Sequence, residues 1–151
     1  MTSSTITVAR TVRATPERAF AAWTDAEQLA GWWWPQLAGT TYAVDARPGG
    51  RFRIHGPAIG ATVSGVYADV DPPRRLAFTW IWEDDGEPGA DVEDTVVVTF
   101  EPDDGGTIVT VAHTSAAHVP EGGAEQGWND VMDRLVRLYD GSQGQTTSSR
   151  S

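Results

Sequence analysis

The sequence has no cysteine, which excludes disulfides, thiolate zinc sites and cysteine nucleophiles, and implies no oxidising compartment. Lysine is absent too: all eleven basic residues are arginine. Schiff-base chemistry and a phosphate-loop lysine are thereby excluded. No apolar run approaches membrane-spanning length, and Met1-Thr2-Ser3-Ser4 has neither the basic nor the apolar region of a signal peptide. A cytoplasmic protein without membrane insertion is expected. Positive charge is scarce, with a net charge of -10 and arginines that are scattered, so nucleic acid is not an expected partner. Against these absences stand seven tryptophans in 151 residues, which point to a large aromatic interior or a ligand-facing wall.

A chain of this length buries roughly 70% of its unfolded surface and is most simply one domain, here residues 5–140 with a polar tail over 141–151 expected to be disordered. Hydrophobic periodicity divides it. From Glu121 to Tyr139, Ala124, Trp128, Val131, Met132, Leu135, Leu138 and Tyr139 fall three or four residues apart, which predicts one long amphipathic helix. From Thr41 to Ser115 the period is two, broken by Pro48-Gly49-Gly50, Asp71-Pro72-Pro73 and Asp103-Asp104-Gly105-Gly106. This predicts six strands in an antiparallel meander, with a seventh at Thr5 to Val12. Between the first strand and the rest, Thr15-Pro16 predicts an N-capped helix, and Thr24 with Glu27 has capping-box spacing for a second short one.

Parity along the last three strands puts Leu76, Phe78, Trp80 and Trp82, then Val96, Val98 and Phe100, then Val109, Val111 and His113 on an inner face. Arg51, Arg53 and His55 oppose Phe52 and Ile54 and belong outside.

The order of elements and several short motifs together resemble a known family. The motifs are Ala22-Trp23-Thr24-Asp25 with Trp32, Pro48-Gly49-Gly50-Arg51-Phe52, Gly65, Asp71-Pro72-Pro73-Arg74-Arg75-Leu76 with Thr79-Trp80, Gly105-Gly106-Thr107 and Gly127-Trp128. The chain resembles the Bet v 1-like or START-like (SRPBCC) superfamily, and within it proteins similar to the C-terminal domain of the Hsp90 ATPase activator. The resemblance implies an α+β helix-grip fold: a curved seven-stranded antiparallel sheet wrapped around a long C-terminal helix, with two short helices after the first strand. It also implies a cavity between helix and sheet that takes lipids, sterols, polyketides or other apolar molecules. Gly127, without a side chain, is expected to let the long helix start close to the sheet.

The residues expected to line that cavity are Trp32, Phe78, Trp80, Trp82, Val98, Phe100, Val111, His113, Trp128, Met132 and Leu135. Of the three consecutive tryptophans, Trp32 is expected in the core. Trp33 and Trp34 either close the cavity mouth or cover a sheet edge or an oligomer contact such as a homodimer, since three successive helical residues cannot share a face. His113 is the candidate acid or base on the apolar face. Its blander alternative is a histidine satisfied by a backbone carbonyl or by Asn129. His55, His113 and His118 lack ligand spacing, so neither metal nor cofactor is expected. The acidic run from Glu83 to Asp94 lacks calcium-loop spacing and reads as a solvated loop, hinged at Gly86 and Pro88-Gly89 as a lid would be.

Three functions remain open from sequence. The first is binding of an apolar or aromatic small molecule. The second is an acid/base enzyme of cyclisation, dehydration or isomerisation that works through His113. The third, ranked last, is a single-domain partner of an Hsp90-type chaperone.

Overall fold

The computed structural model describes residues 4–34, 37–84, 94–115 and 123–144. Its elements in order are β1 (Ser4–Val12), α1 (Pro16–Thr24), α2 (Ala26–Leu29), β2 (Thr41–Val44), β3 (Arg51–Gly56), β4 (Ala61–Asp71), β5 (Arg75–Asp84), β6 (Asp94–Asp103), β7 (Gly106–Ser115) and α3 (Gly123–Gly144). The strands form one seven-stranded sheet in the order β1-β7-β6-β5-β4-β3-β2, every neighbouring pair antiparallel. This is the helix-grip α+β fold. The long helix runs to Gly144, into the segment read from sequence as tail.

β1 and β2 are the two outer strands, so the chain between them must traverse the full width of the sheet. It does so as α1, α2 and the tryptophan run, and the apolar side chains of that crossing pack into the same core as the inner strand face. Thr15 Oγ1 accepts the Arg18 amide at 3.2 Å and caps α1. The second cap differs from the capping box expected at Thr24. Thr24 ends α1 and donates to the Phe20 carbonyl, while Asp25 closes α1 and caps α2 by accepting the Glu27 amide at 3.1 Å. Asp25 thus serves both helix ends, its backbone amide donating to the Ala21 carbonyl at the end of α1 and its carboxylate capping α2.

Of the predicted inner faces, Leu76, Phe78, Val96, Val98, Phe100, Val109, Val111 and His113 are buried and Trp80 is half-buried. Arg51 and Arg53 are exposed between buried Phe52 and Ile54. β4 carries an irregularity between Tyr67 and Asp69, and a β-bulge of this kind increases local twist. Just before it, a Cβ on Gly65 would lie 1.9 Å from the Thr79 carbonyl oxygen. Only glycine permits this approach. There the Val66 amide donates to Thr79 Oγ1 at 2.9 Å, a side chain taking the place of a ladder partner.

α3 buries Trp128, Val131, Met132, Leu135 and Tyr139 and exposes Asp130, Asp133 and Arg137, as an amphipathic helix should. Arg10 on β1 fastens it: Nη2 donates to Asn129 Oδ1 at 2.6 Å and Nε to Asp133 Oδ1 at 2.9 Å. Gly127 does not play the part expected of it. It is exposed, and a Cβ there would meet nothing within 4 Å, so the close approach of helix and sheet rests on the residues that follow. No helix among the described residues is long and apolar enough to cross a membrane.

Candidate functional site

Strand alternation brings His113 inward on β7, paired with Val96 on β6 and Ile6 on β1. From α3 the Trp128 indole Nε1 donates to His113 Nδ1 at 2.8 Å. An indole nitrogen can only donate, so Nδ1 is the acceptor and the imidazole hydrogen resides on Nε2. Nε2 lies 2.8 Å from Asp94 Oδ2, which also accepts from Ser115 Oγ at 3.3 Å. Helix, ring and first residue of β6 are thus tied in one line. Both nitrogens of the ring are engaged and its exposure is 2%. A role as general acid or base requires one of these bonds to break first, which works against it. The partners are neither the backbone carbonyl nor Asn129 that the sequence suggested.

Asp94, read from sequence both as the start of a strand to Phe100 and as the last of the solvated loop acids, is the first residue of β6. Its signal was available: it precedes Val96, Val98 and Phe100 at the same parity, so its carboxylate faces inward beside His113. Residues 85–93 of the acidic loop lie outside the described residues, as does His118. Among the described residues no three metal-ligating side chains gather.

The tryptophan run joins the core in full. Trp32 is 0%, Trp33 4% and Trp34 8% exposed, although three successive helical residues cannot share a face. They are not helical: α2 ends at Leu29, and Trp34 takes the left-handed conformation with φ 56°. Trp32 Nε1 donates to the Ala22 carbonyl at 3.0 Å, and the Trp32 carbonyl accepts from Arg134 Nε at 3.2 Å. The Trp33 carbonyl accepts from the Tyr42 hydroxyl. The Trp33 ring meets Trp32, Trp34, Trp80 and Trp128, with centroids between 5.4 and 6.2 Å.

Beside Trp33 lies an apolar cavity of about 30 Å³. Trp23 of α1, Leu29 of α2 and Trp33 form one side of it, and residues of β3, β4 and β5 form the other, among them Phe52, Tyr67, Phe78 and Trp80. Its wall carries no charged side chain. Burial, reinforced by the Asp45 carboxylate, pushes the Tyr67 phenol well above its ordinary value, so the hydroxyl stays neutral. Trp23 Nε1 and Trp33 Nε1 are both buried without a hydrogen-bond partner.

Of the eleven residues expected to line a cavity, Phe78 and Trp80 lie on this wall. Trp128 and His113 stand behind Trp80, with ring centroids 5.1 and 5.3 Å from it. Trp32, Val98, Phe100, Val111, Met132 and Leu135 are closely packed in the surrounding core. The backbone of Trp82 pairs with Val63, and its side chain lies outside the described residues. The wall is therefore closed by the short helices and Trp33, while α3 approaches it through Trp128. Trp23, Phe52 and Tyr67 were missing from the sequence reading of the wall, and Trp33 stood there only as one of two alternatives. Phe52 was visible in its alternation with Arg51 and Arg53, but nothing local to Trp23 or Trp33 distinguished wall from core.

A family model described as Activator of Hsp90 ATPase homolog 1-like protein matches residues 13–140. Among solved structures, protein Ms6760 from Mycobacterium smegmatis is similar, with a TM-score of 0.79 and 25% identity over 97% of this chain and 93% of that one. A protein from Rhizobium leguminosarum has a TM-score of 0.76 and 22% identity over 92% and 95% of the two chains. CalU16 from Micromonospora echinospora has a TM-score of 0.70 and 22% identity over 95% and 80%. The likeness to the last two is one of fold. No curated protein matches the chain.

Proposed function

The chain belongs to the Activator of Hsp90 ATPase homolog 1-like family, and from that premise we propose that it binds an apolar or aromatic small molecule between its sheet and the helices that cover it. The observation that supports this reading is the uncharged aromatic wall of this cavity. Such concave apolar sites with a few polar groups are the usual form of small-molecule pockets. At about 30 Å³ the cavity has room for water but not for a benzene ring, which occupies an engineered cavity of about 150 Å³. Binding therefore requires the wall to part. Trp80, half-buried and the last residue of β5 to pair with β6, is the wall residue placed to move.

Enzymatic turnover through His113 draws less support, since both of its nitrogens are already bonded. Docking on an Hsp90-type chaperone rests on the family's description alone. The test is a thermal-shift and tryptophan-quenching screen of the whole chain against lipids, aromatic polyketides and indole-like compounds. Saturable stabilisation by one class is expected, and a flat response across the panel would overturn the reading.

A further inference from the structure

Trp23 and Trp33 both form part of the cavity wall, both are 4% exposed, and the indole N–H of each has no hydrogen-bond partner. Every other indole for which a nitrogen bond is described is satisfied: Trp32 by the Ala22 carbonyl and Trp128 by His113. Natural cores rarely leave such donors unpaired, and two on residues of one wall need an explanation. An indole N–H can only donate. The wall supplies these donors with no carboxylate, no guanidinium and no imidazole. From this we infer that the ligand is a neutral, planar aromatic carrying a carbonyl-type acceptor, which takes the N–H of Trp23, Trp33 or both. The inference rests on the small-molecule reading above and narrows it.

The chemistry excludes neighbouring classes. A carboxylate or phosphate would be buried without a counter-charge, at a cost two neutral donors do not offset. A plain hydrocarbon would leave both N–H groups as they stand, gaining only contact area. A ketone, quinone or lactone of one or two rings brings the missing acceptor and stacks on aromatic walls. Desolvating its carbonyl is offset only where a donor awaits it, so the two indoles act as a selectivity device.

Acetophenone and α-methylstyrene test this, because they share shape and planarity and differ in C=O against C=CH2. Their affinities are measured by calorimetry on the full chain and on its Trp23→Phe and Trp33→Phe variants. Indole resonances of the ¹⁵N-labelled wild type are followed in parallel, so that a variant that fails to fold leaves the question answerable. The expected result is at least a fivefold preference for the ketone, with one or both of the Trp23 and Trp33 N–H resonances moving downfield. In the variants the preference is lost while affinity for the hydrocarbon stays within about threefold. Equal affinities with unmoved indole resonances would overturn the inference and leave the small-molecule reading standing. If neither probe binds and the screen above is also flat, both fall together.

Discussion

The indole of Trp128 and the imidazole of His113 meet edge to edge, Nε1 to Nδ1 at 2.8 Å, and this bond joins the C-terminal helix to β7, the strand beside the β1 edge. The far side of the ring holds Asp94, so removing either partner strands buried groups. His113→Phe leaves the Trp128 N–H without a partner and the Asp94 carboxylate with only its bond from Ser115 Oγ, and an unmade buried bond costs about 1–3 kcal/mol. Trp128→Phe orphans only Nδ1. Urea unfolding of both single variants and the double variant should give losses that are less than additive, with a coupling of about 1 kcal/mol.

Truncation of the same tryptophan has a second consequence. Trp128 is 3% exposed and its ring touches Trp23, Trp33 and Trp80, all on the cavity wall. Trp128→Ala should cost about 3–5 kcal/mol and extend the cavity beneath α3. If the variant folds, it should take up benzene where the wild type does not, as measured by thermal stabilisation.

How much of this was legible in the sequence depended on the range of the interactions. Period-two alternation in β5, β6 and β7 identified the inner face residue by residue, because each strand reports its own parity. Period 3.6 did the same for α3 from Trp128 to Tyr139. The Asp94, His113 and Trp128 line was only half legible, since parity places each group inward but the contact depends on register between β6 and β7 and on the depth of α3. The Trp33 and Trp34 positions were illegible, because their burial follows from a left-handed residue where helical geometry was assumed. Gly127 shows the converse, a motif residue whose local role does not follow from its place in the motif.

Two glycines separate steric from conformational demand. Gly65→Ala would drive a methyl group to 1.9 Å from a backbone oxygen of the neighbouring strand, which cannot rotate away. Overpacking of this kind costs about 1–3 kcal/mol, and here the upper end is expected. Gly49 has φ +85° with nothing within 4 Å of a Cβ, so Gly49→Ala meets conformational strain alone. Its loss should be near 1 kcal/mol. Denaturant midpoints of the two variants compared with wild type give the ordering.

Alkaline pH should weaken the fold. Burial raises the Tyr67 phenol far above the ordinary value of 10.0, and raises Tyr139 and Tyr42 in the same direction. Each folded phenol holds its proton where the unfolded one releases it, so the unfolded state binds fewer protons above pH 10. Stability is therefore undiminished below about pH 10 and falls as pH rises beyond it, by at most about 1.4 kcal/mol per pH unit for Tyr67. Tyr139 and Tyr42 contribute less, because the Arg18 guanidinium and the Thr40 hydroxyl respectively offset part of the effect of burial. Thermal melts from pH 8 to 11.5 should show the decline, and Tyr67→Phe should make it shallower. A decline of the same slope in that variant would mean that Tyr67 ionises without opening the core, and would place the sensitive group elsewhere.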